Sequence, residues 1–292
     1  MMKEQRPPGF APRHHVRLVL FAFFGLLVFL TGCRSADRVE VEVETEERAP
    51  LRLGVPMADD EAKLQAQYGP LLAHLSEGLG RKLELVTSHS YKSVGWLLEQ
   101  SKIELAWFSG VAFLRVNRTH PAVPLARTIR FGRTTYLGWI VVKADSPIKT
   151  VRDLRGKRLA YVDPESGSGF VAPNQILLDA GLNPAADLAE ASFTYGHLES
   201  LKGLADGRFD AAGVFEGAMS VYQDKLDPKL FRVLAESSPL PNDVVACSPQ
   251  FDAGLQAKVK HLLLTMADSP QGKERLKAMY TYGALDGFTD VK

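Results

Sequence analysis

The sequence predicts an α/β protein of two lobes facing each other across a cleft, and three observations predict it. From residue 51 onward, short apolar stretches alternate with helical ones, the pattern of a parallel sheet flanked by helices. Two segments, SKIELAWFSG (101–110) and GRFDAAGVFEG (207–217), repeat one design: a turn, an apolar residue, an acid, an alanine-centred strand and a helix start. About 240 residues lie beyond position 51, a length suited to two domains. In open parallel sheets ligands bind beyond the carboxyl ends of the strands, so two facing lobes would line one cleft.

The first residues read as an export signal. Lys3, Arg6, Arg13 and Arg17 precede an apolar run, Leu18 to Leu30. That run is about 13 residues, short of the about 20 that span a bilayer. It ends in LTGC (30–33), which resembles the lipobox of bacterial lipoproteins. Residues 1–32 are therefore expected to be a signal peptide and Cys33 to carry the lipid. Residues 33–50 are expected to tether the domain; VEVEVE alternates like a strand, but glutamates dominate it and it directly follows an anchor. Fully extended, such a tether reaches about 50 Å.

Removing the signal changes the charge. The whole chain has 35 basic and 34 acidic residues, and the signal takes four basic residues and Glu4 with it, leaving 31 and 33. A balance near −2 argues against nucleic acid as a partner. With Cys33 lipidated, Cys247 in VVACSP has no disulfide partner and reads as a buried thiol. The seven histidines include two in the signal and show no metal-ligand spacing, so neither metal nor cofactor is expected.

The elements follow in order. LRLGV (51–55) is a strand, followed by a helical stretch in which Pro70 is placed to start a second part and Gly80 to end it. KLELV (82–86) is a strand, YKSVGWLLEQ a helix, IELAWF (103–108) a strand, and SGVAFLRVN starts a helix. After VPLART a second series begins: TYLGWIVVKAD (135–145) is a long strand, TVRDLRGK a short helix, RLAYVD (158–163) a strand and FVAPNQILLDAGL a helix. ASFTYG, HLESLKGLADG, FDAAGVF, EGAMSVYQDKL and LFRVLAES continue the alternation. PNDVVACS then leads to two amphipathic helices, 252–267 and 270–281.

The loop DPESGSGF joins the strand at 158–163 to a helix. Glycine-rich turns of this kind hold anions, because bare N–H groups at a helix start carry partial positive charge. This one has neither the lysine of a phosphate loop nor the spacing of a dinucleotide fingerprint.

LRLGVPM, YGPLLAHLSEGLGRKLELV, ELAWFSGVAF, SPIKTVRDLRGKRLAYVDPESGSGF, GRFDAAGVFEGAM and PLPNDVVACSP together resemble, in order, segments of the periplasmic solute-binding proteins of phosphonate, phosphite and phosphate ABC transporters. The resemblance covers nearly all of residues 51–270. It implies a two-lobed type II periplasmic binding protein fold with a hinge, lobe 1 being 51–130 plus 241–292 and lobe 2 being 131–240. It implies a monomer without catalysis that binds a small phosphorus oxyanion and docks on ABC permease subunits, anchored to a bacterial membrane and facing the extracytoplasmic space. A related possibility changes the partner to a membrane histidine kinase. The family's serine-x-serine grip is matched by Ser166, Gly167 and Ser168, where Gly167 departs from a frequent threonine. Tyr91, Tyr136 and His197 match an aromatic pair and a helix-opening histidine near the ligand, and Glu216 lies within one position of the family's carboxylate.

The residues themselves support these roles to different degrees. Ser166 and Ser168 donate hydroxyl hydrogen bonds beside the N–H groups of Gly167, Ser168 and Gly169, and bonds to an oxyanion are roughly twice as strong as neutral ones. A serine before a helix is also an ordinary cap. Tyr91 and Tyr136 are rigid donors that exclude water, although tyrosine at such positions is also common rim or core material. Glu216 would accept a hydrogen bond from a ligand that keeps a proton and repel sulfate, which has none. Alternatively Glu216 or Glu165 would pair with the amine of an aminoalkylphosphonate. Trp107 and Phe108 read as core or as an apolar wall, and His89 as a weaker relative of His197. An enzyme is not expected, because no nucleophile-base set, metal cluster or carboxylate pair stands at readable spacing.

Overall fold

The computed structural model describes residues 49–56, 61–279 and 285–291. The signal and Cys33 lie outside them, as does nearly all of the tether.

The first half of lobe 1 runs β1 (Leu51–Pro56), α1 (Glu61–Leu79), β2 (Leu83–Ser88), α2 (Tyr91–Glu99), β3 (Leu105–Phe108), α3 (Gly110–Val116) and β4 (Val123–Arg130). The chain crosses through β5 (Thr135–Tyr136) into β6 (Gly138–Lys143) and β7 (Arg158–Tyr161) of lobe 2. There follow α4 (Ala172–Asp179), α5 (Pro184–Asp187), β8 (Glu190–Phe193), α6 (His197–Ala205), β9 (Ala211–Phe215), α7 (Ala218–Val221) and β10 (Phe231–Glu236). It returns through β11 (Leu240–Pro241) to β12 (Val244–Cys247), α8 (Ala253–Leu264), α9 (Pro270–Ala278) and β13 (Leu285–Thr289).

Lobe 1 is built on a sheet of order β13-β4-β12-β3-β1-β2 and lobe 2 on a sheet of order β10-β6-β9-β7-β8. Each sheet is buried on both faces. In lobe 1, α1, α8 and α9 cover one face around Leu53, Leu71, Leu75 and Leu263; Val94, Leu98, Ile103 and Phe113 pack on the other. In lobe 2 the two faces are packed by Leu201, Leu204, Phe209 and Val214, and by Ile140, Leu154, Leu159 and Leu177.

The sheets are mixed, where the alternation of elements alone predicts parallel strands. β1 pairs in parallel with β2 and β3, and β7 with β8 and β9, but β12, β4, β6, β10 and β13 join antiparallel. The cause is the double crossing. Outgoing β4, β5 and β6 pair antiparallel with returning β12, β11 and β10, so one two-stranded ribbon runs from sheet to sheet. β4 and β13 were not foreseen as strands: Pro124 and two arginines interrupt the pattern of β4, and Asp286 and Gly287 that of β13.

Other differences are local. α1 is one helix with Pro70 inside it, not two, and Leu71 and Leu75 just after the proline are fully buried. The expected strand at 135–145 breaks at Leu137, where the chain leaves the ribbon partner β11 for β9 and β10. Residues 151–154 form only a 3-10 turn, and the helix expected after Glu216 shortens to α7.

The internal repeat is visible in the strand starts. Arg52 at the start of β1 donates from its backbone and guanidinium to Glu104 just before β3, at 2.7 Å for both Nη2 to Oε1 and N to Oε2, and also to the carbonyl of Ser101. Arg158 at the start of β7 donates likewise to Asp210 just before β9 at 2.8–3.0 Å, and to the carbonyl of Gly207. Both guanidiniums tie two parallel strands together at the end away from the cleft.

Candidate functional site

The serine turn lies at the carboxyl end of β7. Ser166 caps it: its backbone is extended (φ −67°, ψ 125°) and its Oγ accepts from Gly169 N at 3.0 Å. One π-turn, 167–171, then leads into α4. Ser166 and Ser168 are buried, at 4 % and 3 % exposure, and Ser168 makes no side-chain hydrogen bond among the described residues. The cap leaves the Ser166 proton available, so both hydroxyls keep a donor.

Close packing explains the glycines here. A Cβ on Gly169 would stand 2.5 Å from Val162, and one on Gly138 would stand 3.1 Å from the Ser168 Cα. A Cβ on Gly167 would meet Val111 of α3, across the cleft, at 2.9 Å and the Tyr136 hydroxyl at 3.3 Å. Gly167 is therefore the seat on which lobe 1 rests, rather than simply a position that has lost a donor. Beside it Arg115 of α3 donates to Glu165 at 2.5 Å, a second contact between the lobes.

The serines open into a cavity of about 60 Å³. A water needs about 10–15 Å³ by this measure, so the space fits a few waters or a tetrahedral oxyanion with a short substituent. Tyr91 and Ser109 contribute from lobe 1, and Ser166, Ser168, His197, Phe215 and Glu216 from lobe 2. The ribbon and its turn supply Arg130, Phe131, Arg133, Thr135, Tyr136, Asn242 and Asp243. Six of the residues singled out from the sequence thus meet in one cavity, and Gly167 lies just behind its wall.

The repeat explains why they meet. Tyr91 is the first residue of α2 and His197 the first of α6, each following the parallel edge strand of its sheet, β2 and β8. Each ring packs on the phenylalanine ending the strand two places further into the sheet, β3 or β9: Tyr91 on Phe108 at 6.4 Å, His197 on Phe215 at 4.8 Å. Ser109 and Glu216 directly follow those phenylalanines. Phe108 and Trp107 are core residues, at 1 % and 4 % exposure. His89 and Glu165 line a separate, wider hollow of about 550 Å³ with Ser90, Lys92, Asp163 and Tyr195.

The electrostatics are less spare than the loop alone suggests. Arg130 donates to Asp243 at 3.1 Å, and Arg133 donates to Glu216 Oε1 at 2.8 Å while Leu137 N donates to Oε2 at 3.0 Å. The two arginines flank the turn Phe131–Gly132, whose φ values of 50° and 68° are those of a tight hairpin. Gly132 N donates to Asp286 at 2.6 Å, and Asn242 Nδ2 to the carbonyls of Thr128 and Arg133 at 3.2 and 2.9 Å, which fixes the turn. The sequence reading missed these residues. Their signal was RTIRFGR, basic residues spaced three apart around a glycine.

Burial pushes the His197 imidazole down to about 3, so it stands neutral in the cavity. Burial also holds the Asp163 carboxyl above the usual range, against the Glu165 N–H it accepts at 2.7 Å. Burial likewise lifts the Cys247 thiol, in β12, to about 11. Among the described residues no group of three or more His, Cys, Asp and Glu side chains gathers to hold a metal. The arrangement offers hydroxyl, phenol, imidazole and guanidinium donors around a small space.

Comparison with known proteins identifies the family. Residues 53–292 match the phosphonate-binding family, described as the periplasmic substrate-binding proteins of phosphonate ABC transporters. The phosphate-import protein PhnD of Mycolicibacterium smegmatis is 25 % identical over 260 residues, 85 % of this chain and 80 % of that protein. The fold matches a binding protein component of an ABC phosphonate transporter from Pseudomonas aeruginosa with a TM-score of 0.74 at 16 % identity, covering 82 % of this chain and 80 % of that one. It also matches PhnD1 from Prochlorococcus marinus in complex with methylphosphonate, with a TM-score of 0.70 at 17 % identity over 83 % and 92 % of the two chains.

Proposed function

The chain belongs to the phosphonate-binding family of periplasmic ABC-transporter substrate-binding proteins, and from that premise we propose that it captures a small phosphorus oxyanion and hands it to an ABC permease. Phosphonate, phosphite and phosphate share the chemistry the cavity suits. The observation that carries the reading is the pair of buried serines at a helix start, Ser166 and Ser168, facing a cavity of about 60 Å³. Backbone N–H groups and hydroxyls there bind negative charge without a lysine. Tyr91 and Ser109 close from lobe 1, Tyr136 from the ribbon, and His197 donates one N–H as a neutral ring. Val111 resting on Gly167 and Arg115 on Glu165 hold the lobes together over the ligand.

The extracytoplasmic binding domain is tethered by a lipid on Cys33, through residues 33–50; the LTGC segment supports this. The protein acts as a monomer whose partners are the ligand, the permease and the membrane. It performs no chemistry on the ligand.

Thermal shift followed by calorimetry with phosphate, phosphite, methylphosphonate, arsenate and sulfate tests the proposal. A true ligand at 100 times its Kd raises stability by about 2.7 kcal/mol. Ser168→Ala should weaken that binding by about 1.5–3 kcal/mol, the worth of a bond to a charged group, while barely moving the unliganded melting temperature. If no oxyanion shifts the melting temperature, the reading is wrong.

A further inference from the structure

The two carboxylates lining the cavity have their charges already matched. Glu216 and Asp243 line the cavity, and each accepts from a guanidinium: Arg133 at 2.8 Å and Arg130 at 3.1 Å. Glu165 accepts from Arg115 at 2.5 Å. Asp163 lies in the neighbouring hollow and turns one oxygen to Glu165 N at 2.7 Å. An ammonium group on the ligand therefore finds no carboxylate in the cavity without a cation on it, and meets two guanidiniums.

The arginines differ in how firmly they are held. The Arg130 side chain is 8 % exposed and Asp243 15 %, an enclosed pair. Arg133 is 48 % exposed, stands on the fixed backbone of the Phe131–Gly132 turn, and reaches Glu216 from the rim. Glu216 Oε2 remains oriented by Leu137 N, independently of Arg133. Removing the Arg133 guanidinium thus exposes a positioned carboxylate rather than dismantling the site.

We infer that Arg133 is a specificity-determining residue: by occupying Glu216 it makes the site select phosphorus oxyanions whose substituent is absent, neutral or anionic, and reject aminoalkylphosphonates. The inference rests on the proposed reading and deepens it. Arg133 takes the position that a ligand ammonium would need, so the cation of an amino substituent is both unpartnered and repelled. A ligand carrying a second anionic group would instead draw Arg133 toward itself.

Calorimetric titration of the purified full chain, wild type, Arg133→Gln and Arg133→Lys, with methylphosphonate and 2-aminoethylphosphonate decides it. The wild type should favour methylphosphonate by about tenfold or more, and Arg133→Gln should shift that ratio by about tenfold toward 2-aminoethylphosphonate. Arg133→Lys, which keeps the charge, should retain most of the wild-type preference. Equal or tighter wild-type binding of 2-aminoethylphosphonate, or an unchanged ratio in Arg133→Gln, overturns the inference while the functional reading stands. Binding of neither ligand, nor of phosphate or phosphite, overturns the functional reading and the inference with it.

Discussion

The two lobes share a framework and differ in what they bring to the cavity. Arg52 clamps Glu104 and the Ser101 carbonyl; Arg158 clamps Asp210 and the Gly207 carbonyl. Helix starts at Tyr91 and His197, and strand ends at Ser109 and Glu216, occupy corresponding places. Yet lobe 1 offers neutral hydroxyls at these places, whereas lobe 2 offers an imidazole and a carboxylate, and adds the serine turn. Repetition supplies the scaffold and aims corresponding residues at one point; divergence at those few positions supplies the chemistry. On the proposed reading, lobe 2 would hold and read the ligand and lobe 1 would cover it.

Three changes would break or sharpen that division. At neutral pH the largest effect belongs to the contact between the lobes. Gly167→Thr drives a side chain into Val111, and such overpacking costs about 1–3 kcal/mol. Binding should weaken accordingly, and adding Val111→Ala should restore part of it; a Gly167→Thr protein that binds as tightly as wild type would show that the lobes do not need this contact.

Next comes the pair Tyr91 and His197. Because burial depresses the folded-state value of His197 to about 3, only the unfolded chain takes up its proton as the pH drops below about 6.5. Stability from this group is thus complete above about pH 6.5 and falls by up to about 1.4 kcal/mol per unit below it. His197→Gln should flatten the denaturation curve between pH 6.5 and 4, and an unaltered slope would place the acid sensitivity elsewhere. Tyr91→Phe should leave that slope as it is.

The smallest effect is at the clamps. The carboxyl of Asp210 lies below its ordinary range because of its bonds to Arg158, so its contribution is present at neutral pH and lost as the pH falls below the unfolded value. Both partners are partly exposed, so Asp210→Asn should lower the melting temperature at pH 7 only slightly, with the difference vanishing in acid. A large loss at pH 7 would mean that the clamp supports the site as well as the scaffold.

What the sequence made legible follows from range. The repeat, the alternation and the serine turn are local patterns, and they led to the two lobes and to Ser166 and Ser168; Tyr91 and His197 came only through the family resemblance, and all four line one cavity. The ribbon was not legible, because antiparallel partners about 115 residues apart (Arg127 and Val244) leave no local trace. For the same reason Arg130, Arg133, Asn242 and Asp243 escaped notice: each depends on a neighbour from the other crossing. Glu216 was found, but its bond to Arg133 was not, and that bond changes what the carboxylate can accept. Gly167 was noticed for its missing hydroxyl, although its tighter constraint comes from the opposite lobe.

Cys247 gives the protein a clock of its own. Its thiol lies at 0 % exposure in β12, the strand that returns from the crossing into the middle of the lobe 1 sheet. A thiol reagent reaches it only during excursions that part that sheet, so the labelling rate counts those excursions. A ligand gripped by both lobes should slow the count, whereas one resting on the serine turn alone would leave it unchanged. One buried sulfur thereby turns the ligand's hold on lobe 1 into a rate that can be timed.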